Sequence, residues 1–335
     1  ELVPILSKYA QVDTLISGNQ SQIKAEFELN YQRTGLTFLS GKNGDISILK
    51  SLKNTHPIDL IKEIRSFPIK HYDLVLSDFE PVSAWSALLS GVPCIEMSHQ
   101  AAVVHPLAPK PQKNAAFGRY VLQHYTPARQ KYGFHFKSYD ERVFTPVIRK
   151  EIRAAAPEDL GHYTVYLPGY HDDVLMHFLR QFEVKWEVFS KHAEYAYRVD
   201  NVFIEPISQA RFQESLISAS GVLCGAGFEL PSEALFLGKK TMVIPMKGHY
   251  EQTCNALGAA EVGASTIAEL DLIYHRQINY WLGQDKQAPL LYADQTEQIL
   301  IDLLTQFEKQ GKAAYQPLEE FQTLKQKLGL LRYFF

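Results

Sequence analysis

The stretch GVLCGAGFELPSEALFLGKKTMVIPMKGHYEQTCNALGAAEVGA, residues 221–264, decides the fold of this chain. Its order of apolar and turn-forming residues predicts a strand, a glycine turn, a helix, a second strand, a loop and another helix. The free N–H groups and the dipole at a helix N-terminus both favour an anion. The turn can therefore hold a diphosphate, although from the residues alone it could also be an ordinary tight connection between a strand and a helix.

The rest of the chain shows the same alternation of short apolar strands and amphipathic helices. At 335 residues it exceeds what one hydrophobic core usually supports, so two domains are expected. We place the boundary in a polar, alanine-rich run, which gives domains at 1–153 and 154–312 and a C-terminal helix at 313–335 that packs back on the first domain. The alternation predicts an α/β fold with two doubly wound parallel sheets, in which ligands bind outside the carboxyl ends of the strands.

The predicted elements follow from apolar runs for strands and from helical periodicity for helices. Strands are predicted at Val12–Ile16, Leu36–Leu39, Asp73–Ser77, Pro93–Met97, Thr164–Leu167, Lys185–Phe189, Asn201–Ile204, Gly221–Cys224 and Thr241–Ile244. Helices are predicted at Pro57–Ser66, Pro81–Ser90, Asn114–His124, Asp172–Arg180, Gln209–Ala219, Leu230–Leu237, Thr296–Lys309 and Leu318–Leu328. The apolar face of residues 2–9 is helical, whereas an α/β domain normally opens with a strand. We therefore expect a first strand and its loop upstream of Glu1.

Composition excludes several classes of protein. A formal net charge of −3 gives no signal for nucleic-acid binding, and no apolar run approaches the ~18 residues of a transmembrane helix. Three cysteines in apolar contexts, without zinc-type spacing, indicate reduced core thiols and favour the cytoplasm.

Residues 221–264 resemble the donor-binding signature of GT-B glycosyltransferases, which have two Rossmann-like domains facing a cleft. The similarity is to the UDP-glycosyltransferases and to the lipid II N-acetylglucosaminyltransferase of peptidoglycan synthesis. In those families a glutamate follows the turn glycine by six residues, and Gly227 and Glu233 keep that spacing. The other matching residues are Ala234, Gly238, Pro245, Glu251, Gln252, Asn255 and Ala256. As a whole the chain resembles an uncharacterised bacterial and archaeal group of GT-B proteins.

The resemblance implies a donor site at the carboxyl edge of the second sheet. It assigns the diphosphate to the glycine turn, the ribose to Glu233, the base to Ile207 and the sugar hydroxyls to Glu251 and Gln252. From the residues alone, Glu233 could equally be a solvated helix carboxylate, and Glu251 and Gln252 could simply begin the next helix. The full set of predicted donor-binding residues is Ile207, Gly225, Ala226, Gly227, Phe228, Glu233, His249, Tyr250, Glu251 and Gln252.

The predicted catalytic residues follow two strands of the first half. His99 comes after one strand, and Asp78 and Glu80 come after the preceding one. Each of the three is a candidate general base or its orienting partner. Asp78 could instead cap the helix that Pro81 opens, and a catalytic histidine upstream of Glu1 is a further option. The chain also departs from the signature, which has a histidine before its glycine turn where this chain has Leu223-Cys224-Gly225.

The function implied by the resemblance is transfer of a hexose from a UDP-sugar to an acceptor hydroxyl, with inversion. No Asp-x-Asp motif appears in the sequence, so a metal is not expected, and the UDP-sugar is a co-substrate rather than a cofactor. A UDP-sugar 2-epimerase and a non-catalytic sugar-nucleotide-binding protein remain alternatives. The acceptor is open. A lipid-linked acceptor would place the protein at the inner face of the membrane, with the aromatic and basic residues 117–125 as the contact.

Overall fold

The structure, a computed structural model, describes part of the 335-residue chain. The described residues are 1–18, 27–35, 57–112 and 116–315. The predicted strand at 36–39 and the predicted helix at 318–328 lie outside them.

The second half of the chain forms a seven-stranded sheet. The strands are β7 (His162–Tyr166), β8 (Lys185–Ser190), β9 (Tyr197–Val199), β10 (Val202–Pro206), β11 (Gly221–Gly225), β12 (Lys240–Ile244) and β13 (Ser265–Thr266). Their order in the sheet is β13-β12-β11-β7-β8-β10-β9, and every pair is parallel except β10 with β9.

The order of these strands fixes where a ligand binds. From β7 the chain moves outward on one side through β8 to β10, and then returns to lay β11, β12 and β13 on the other side. The direction therefore reverses between β7 and β11. In open α/β sheets the ligand crevice lies outside the carboxyl ends of the strands at this switch point. Gly225 ends β11, so the predicted glycine turn begins at the switch point.

The first half contains six described strands: β1 (Leu15–Ser17), β2 (Tyr31–Arg33), β3 (Val75–Ser77), β4 (Cys94–Ser98), β5 (Gln130–Phe134) and β6 (Val143–Phe144). Four of them form a smaller parallel sheet with the order β3-β4-β5-β6, and β1 and β2 form a separate parallel pair.

Helices connect the strands of both sheets. Short 3-10 turns are found at Ile69–His71, Leu272–Tyr274 and Lys312–Tyr315. The α-helices are α1 (Leu2–Leu6), α2 (Pro57–Ser66), α3 (Pro81–Ser90), α4 (His99–Val103), α5 (Ala116–His124), α6 (Lys150–Arg153), α7 (Asp172–Leu179), α8 (Gln209–Ser218), α9 (Glu229–Phe236), α10 (Tyr250–Glu261), α11 (His275–Leu282) and α12 (Thr296–Gln310).

One hydrophobic cluster joins the two halves. It brings Ile95 and Phe134 of the first sheet together with Phe228 and Leu235 of the second half. A second cluster, around Trp186, belongs to the seven-stranded sheet alone. Side chains from the two halves meet at the glycine turn, where the ring of His99, the residue after β4, stacks on that of Phe228.

Helix α12 ties the second half back to the first. Glu297 accepts hydrogen bonds from Lys8 Nζ at 2.9 Å and from the Tyr9 hydroxyl at 2.8 Å. Farther along, the Tyr132 hydroxyl lies 3.0 Å from Gln306 Oε1. Helix α12 therefore contacts the first half, whereas residues 316–335 of the predicted C-terminal helix lie outside the described residues. The domain boundaries themselves stay a prediction.

The structure confirms the α/β fold with parallel sheets, and most predicted elements match within one to three residues. Two predictions need correction. The strand predicted at Val12–Ile16 begins only at Leu15, where the Thr14 N–H before it is bonded to the Asn30 side chain and the Thr14 hydroxyl to the Glu28 carbonyl. Several elements were not predicted, namely strands β2, β5, β6, β9 and β13 and helices α4, α6 and α11. The second sheet is not wholly parallel: β9 pairs antiparallel with β10 across a tight turn in which Asp200 has a φ of 54°.

Candidate donor and acceptor site

The glycine turn lies open at the switch point. A Cβ added to Gly225 or Gly227 would meet nothing within 4 Å, so both residues border free space. Helix α9 starts just after Phe228 without a side-chain cap, which leaves its first N–H groups available to an anion. Ala226 differs from its neighbours, since its N–H donates to the Ile244 carbonyl at 3.1 Å. The N–H groups after Ala226 are therefore the donors that a diphosphate would meet.

Glu233 is buried and paired with an arginine. Its carboxylate accepts a two-pronged bond from Arg149, with Nε 2.6 Å from Oε1 and Nη2 2.7 Å from Oε2. The Glu233 side chain is 5% exposed and that of Arg149 is 35% exposed. The hydrogen bonds to Glu233 raise the pKa of Arg149 above its ordinary value. The alternative of a solvated Glu233 carboxylate is therefore wrong.

Arg149 was missed by the sequence analysis. It stands at the start of the polar, alanine-rich run that contains the predicted domain boundary. In such a run an arginine is expected to be solvated. In the structure Arg149 follows the buried Ile148 and directly precedes α6, in the segment that links the two sheets. From there its guanidinium group reaches α9. Only the buried apolar residues before it could have signalled this position.

His99 lies between the two halves and is 7% exposed. Its Nδ1 is 2.7 Å from the Phe134 carbonyl oxygen, and its Nε2 is 2.7 Å from Oδ1 of Asn255 on α10. The ring stacks on Phe228 with centroids 3.9 Å apart and an interplanar angle of 8°. Both ring nitrogens are thus engaged, and neither is free to take a proton from a ligand.

Glu80 is the N-cap of α3. Its carboxylate accepts the N–H of Val82 at 2.7 Å and that of Ser83 at 2.6 Å, and Ser17 Oγ donates to it at 2.7 Å. The helix that Pro81 opens is therefore capped by Glu80, and the alternative of an Asp78 cap is wrong. With its oxygens committed to the helix terminus, Glu80 is poorly placed to accept a further proton.

Asp78 is the freer carboxylate. It follows β3 directly, and the next residue, Phe79, has a φ of 53°, a left-handed conformation that costs a non-glycine residue ~1–2 kcal/mol. Asp78 is exposed to solvent. Desolvation by the surrounding protein, followed by the negative charges of Glu229, Glu96 and Glu251, raises the pKa of Asp78 to about 6. Since Glu229 and Glu251 belong to the second half, Asp78 lies near carboxylates of both halves.

The predicted sugar contacts lie in the first turn of α10 rather than on a loop. His249 is the N-cap, with Nδ1 accepting the Gln252 N–H at 3.3 Å, and burial lowers the pKa of His249. Gln252 Oε1 accepts the Met246 N–H at 2.8 Å, which fixes the preceding loop. The Gln252 NH₂ group has no hydrogen-bond partner within the described residues, so it remains a donor for a ligand.

Glu251 and Tyr250 both contact the first half. Gln100, the residue directly after His99 in the chain, donates from Nε2 to Glu251 Oε1 at 3.2 Å. Tyr250 packs so closely on α5 that a Cβ at Gly118 would lie 2.4 Å from the Tyr250 Cβ. Tyr250 therefore joins α10 to α5, whereas Glu251 lies near enough to Asp78 for its charge to raise the pKa of Asp78.

Ile207 follows β10 at the same carboxyl edge as the glycine turn and is half-buried. Strand β10 is three positions from β11 in the sheet, which corresponds to ~14 Å at ~4.8 Å per strand. A bound nucleotide lying along this edge would span a similar distance between diphosphate and base.

Within the described ranges, no group of three or more His, Cys, Asp or Glu side chains is arranged to hold a metal ion. The helices of those ranges are all too short or too polar to cross a membrane. On α5, Tyr120 is 60% exposed and Arg119 is exposed beside it, so part of the predicted aromatic and basic contact reaches the surface.

Comparison with known proteins gives one family. The model described as "Glycosyl transferase family 1" matches residues 20–284, more than three quarters of the chain. No curated protein sequence matches. Among solved structures, MurG of Acinetobacter baumannii is 17% identical and covers 83% of this chain and 85% of its own, with a TM-score of 0.45. UGT89C1 of Arabidopsis thaliana, complexed with UDP, is 12% identical and covers 90% of this chain and 88% of its own, with a TM-score of 0.47. The glycosyltransferase SnogD from Streptomyces nogalater is 12% identical and covers 74% and 77%, with a TM-score of 0.40.

Proposed function

Because the chain belongs to glycosyl transferase family 1 and is therefore a glycosyltransferase, we propose that its donor is a UDP-hexose. In this proposal the hexose passes to an acceptor hydroxyl in a single displacement, with inversion at the anomeric carbon and without a metal. The observation that carries the proposal is the open glycine turn at the switch point of the second sheet.

The turn supports a diphosphate as the leaving group. Gly225 and Gly227 leave space for phosphate oxygens, and the uncapped start of α9 supplies N–H groups and the positive end of a helix dipole. These groups stand in place before the reaction. They therefore stabilise the negative charge that develops as the bond between the anomeric carbon and the diphosphate oxygen breaks.

The nucleoside is assigned to the Arg149–Glu233 pair and to Ile207. Helix α9 rises ~1.5 Å per residue, so Glu233 lies about one turn from the N–H groups at its start. A ribose one phosphate away from the turn reaches that position. The ion pair offers both acceptor oxygens and N–H donors, which suits a diol whose hydroxyls donate and accept. The hexose hydroxyls are then left to the Gln252 NH₂ group and to Glu251.

Asp78 is proposed as the general base. With a pKa of about 6 it is ionised at neutral pH and still basic enough to take a hydroxyl proton as the C–O bond forms. The proton passes from the acceptor hydroxyl to an Asp78 carboxylate oxygen, the acceptor oxygen attacks the anomeric carbon, and UDP leaves. His99 and Glu80, which were also predicted as bases, have their polar atoms engaged elsewhere.

The proposal is tested by measuring UDP release from a panel of UDP-hexoses in EDTA, with and without hydroxyl acceptors, including lipid-linked acceptors in vesicles. We expect acceptor-dependent release that Asp78→Asn removes, and an NMR coupling constant that shows inversion in the product. ADP-, GDP- and dTDP-sugars serve as the controls for donor class. Conversion of the UDP-sugar to an isomer without an acceptor would show a 2-epimerase instead, and faster release from dTDP-sugars would refute the UDP assignment.

A further inference from the structure

The two partners of His99 are both oxygen acceptors. Nδ1 lies 2.7 Å from the Phe134 carbonyl oxygen and Nε2 lies 2.7 Å from Asn255 Oδ1. A neutral imidazole has one N–H, so it satisfies one acceptor and turns a lone pair towards the other. Only a ring protonated on both nitrogens donates to both oxygens.

The orientation of the Asn255 amide is fixed by a second bond. Asn255 Nδ2 donates to the Ala226 carbonyl at 3.1 Å, which directs Oδ1 towards His99. The opposite amide orientation would give up that bond and turn Oδ1 towards the Ala226 carbonyl, placing two acceptors together. Asn255 has no exposed surface, so water offers no replacement partner.

We propose that His99 is a positioning residue that carries protons on both ring nitrogens and places a fixed positive charge behind the glycine turn. This inference rests on the proposed function, in which the turn holds the diphosphate of the donor. It replaces the predicted role of His99 as a general base.

The contacts of His99 carry the charge to the turn. The ring stacks on Phe228, the last residue of the turn, and reaches Ala226 through Asn255. A cation stacked on an aromatic face is favourable when it is desolvated. In a buried site its field is weakly screened, so it opposes the charge of a leaving diphosphate without touching it.

The titratable groups around His99 fit a cation at this position. His135 is the nearest, with ring centroids 5.6 Å apart, and burial lowers the pKa of His135 to about 3, which keeps it neutral. On α10, Glu251 is bonded to Gln100, the next residue after His99. On β4, Glu96 is paired with Lys131 at 2.5 Å. Within the described residues no carboxylate bonds to His99 itself, so its charge stays available to the turn.

The first experiment observes the protons directly. The full-length protein is labelled with ¹⁵N-histidine, and its ring N–H signals are recorded at pH 7.5 beside those of His99→Gln, which lacks the His99 signals. We expect protons bonded to both His99 nitrogens in the wild type, and a single protonated nitrogen after Asn255→Leu, which removes one acceptor. A neutral His99 ring in the wild type would overturn the inference, whether or not the protein binds UDP.

The second experiment measures the effect on the ligand. Affinities for UDP and for uridine are compared in wild type, His99→Gln and the control His177→Gln, whose side chain is exposed on α7. We expect His99→Gln to weaken UDP about tenfold and to leave uridine unchanged, because the charge acts on the diphosphate. Equal losses for both ligands would reduce His99 to a packing role and refute the inference. Failure of the wild type to bind UDP would instead refute the proposed function.

Discussion

Replacing Arg149 and replacing Glu233 are expected to lower the free energy of unfolding by different amounts. Arg149→Met leaves the Glu233 carboxylate, which is 5% exposed, without a countercharge. Breaking a buried pair in this way costs ~3–5 kcal/mol. Glu233→Leu leaves Arg149, whose side chain is 35% exposed and turns towards water, so we expect a smaller cost of ~1–2 kcal/mol.

The double variant Arg149→Met/Glu233→Leu separates the pair from simple packing. It leaves no unpaired buried charge, so its free energy of unfolding should exceed that of Arg149→Met by ~2 kcal/mol. The assay is urea unfolding at pH 7.5, with equal m-values required across the cycle. A cost below ~1 kcal/mol for Arg149→Met, or a double variant less stable than either single variant, would refute the buried-pair geometry.

Three further perturbations have defined outcomes. Asp78→Asn should lower kcat by ~10²-fold or more and leave UDP affinity unchanged. In the wild type, kcat/KM should rise with pH up to a plateau above about 6, as the Asp78 carboxyl group ionises. A pH profile that stays flat would argue against Asp78 as the base. The raised pKa of Asp78 means that folding loses stability as pH rises from ~4 to about 6, so the Asn variant should have an equal or higher Tm at pH 8, and a lower Tm would contradict this. Glu80→Ala removes the N-cap of α3 and should cost ~1 kcal/mol in urea unfolding, where no loss would contradict the capping geometry. Gly118→Ala should cost ~1–3 kcal/mol because its methyl group would overlap Tyr250, and a neutral outcome would show that α5 and α10 are not in contact.

Local pattern was enough to predict much of the fold. The bounds of α2 and α3 follow from Pro57 and Pro81, which open the helices, and from the glycine that ends α3 at position 91. The apolar run 221–225 and the following turn identify β11 and α9. Strand β5 was missed because its sequence, QKYGF, has three polar or small residues among five and lacks the pattern of a buried strand.

The partners of the site residues could not be predicted, because they lie far away in the chain. Glu233 and Arg149 are 84 positions apart, and His99 and Asn255 are 156 apart. Sequence order places a glutamate on a helix or a histidine after a strand, yet it does not show which oxygen or nitrogen it will face. For that reason the candidate donor positions could be chosen from a local motif, whereas the choice among three catalytic candidates required the cap made by Glu80 and the bonds made by His99.

Calorimetric titration of the full-length protein with UDP, in EDTA, tests the central claim most directly. The variant Gly227→Val fills the open space at the turn, and Gly283→Ala is the matched control because its added Cβ meets only ordinary contacts, the nearest at 3.4 Å. The account predicts binding of one UDP per chain in wild type and in Gly283→Ala, and no binding in Gly227→Val with its folding intact. Binding that persists in Gly227→Val, or no UDP binding by the wild type, would contradict a donor site at the glycine turn.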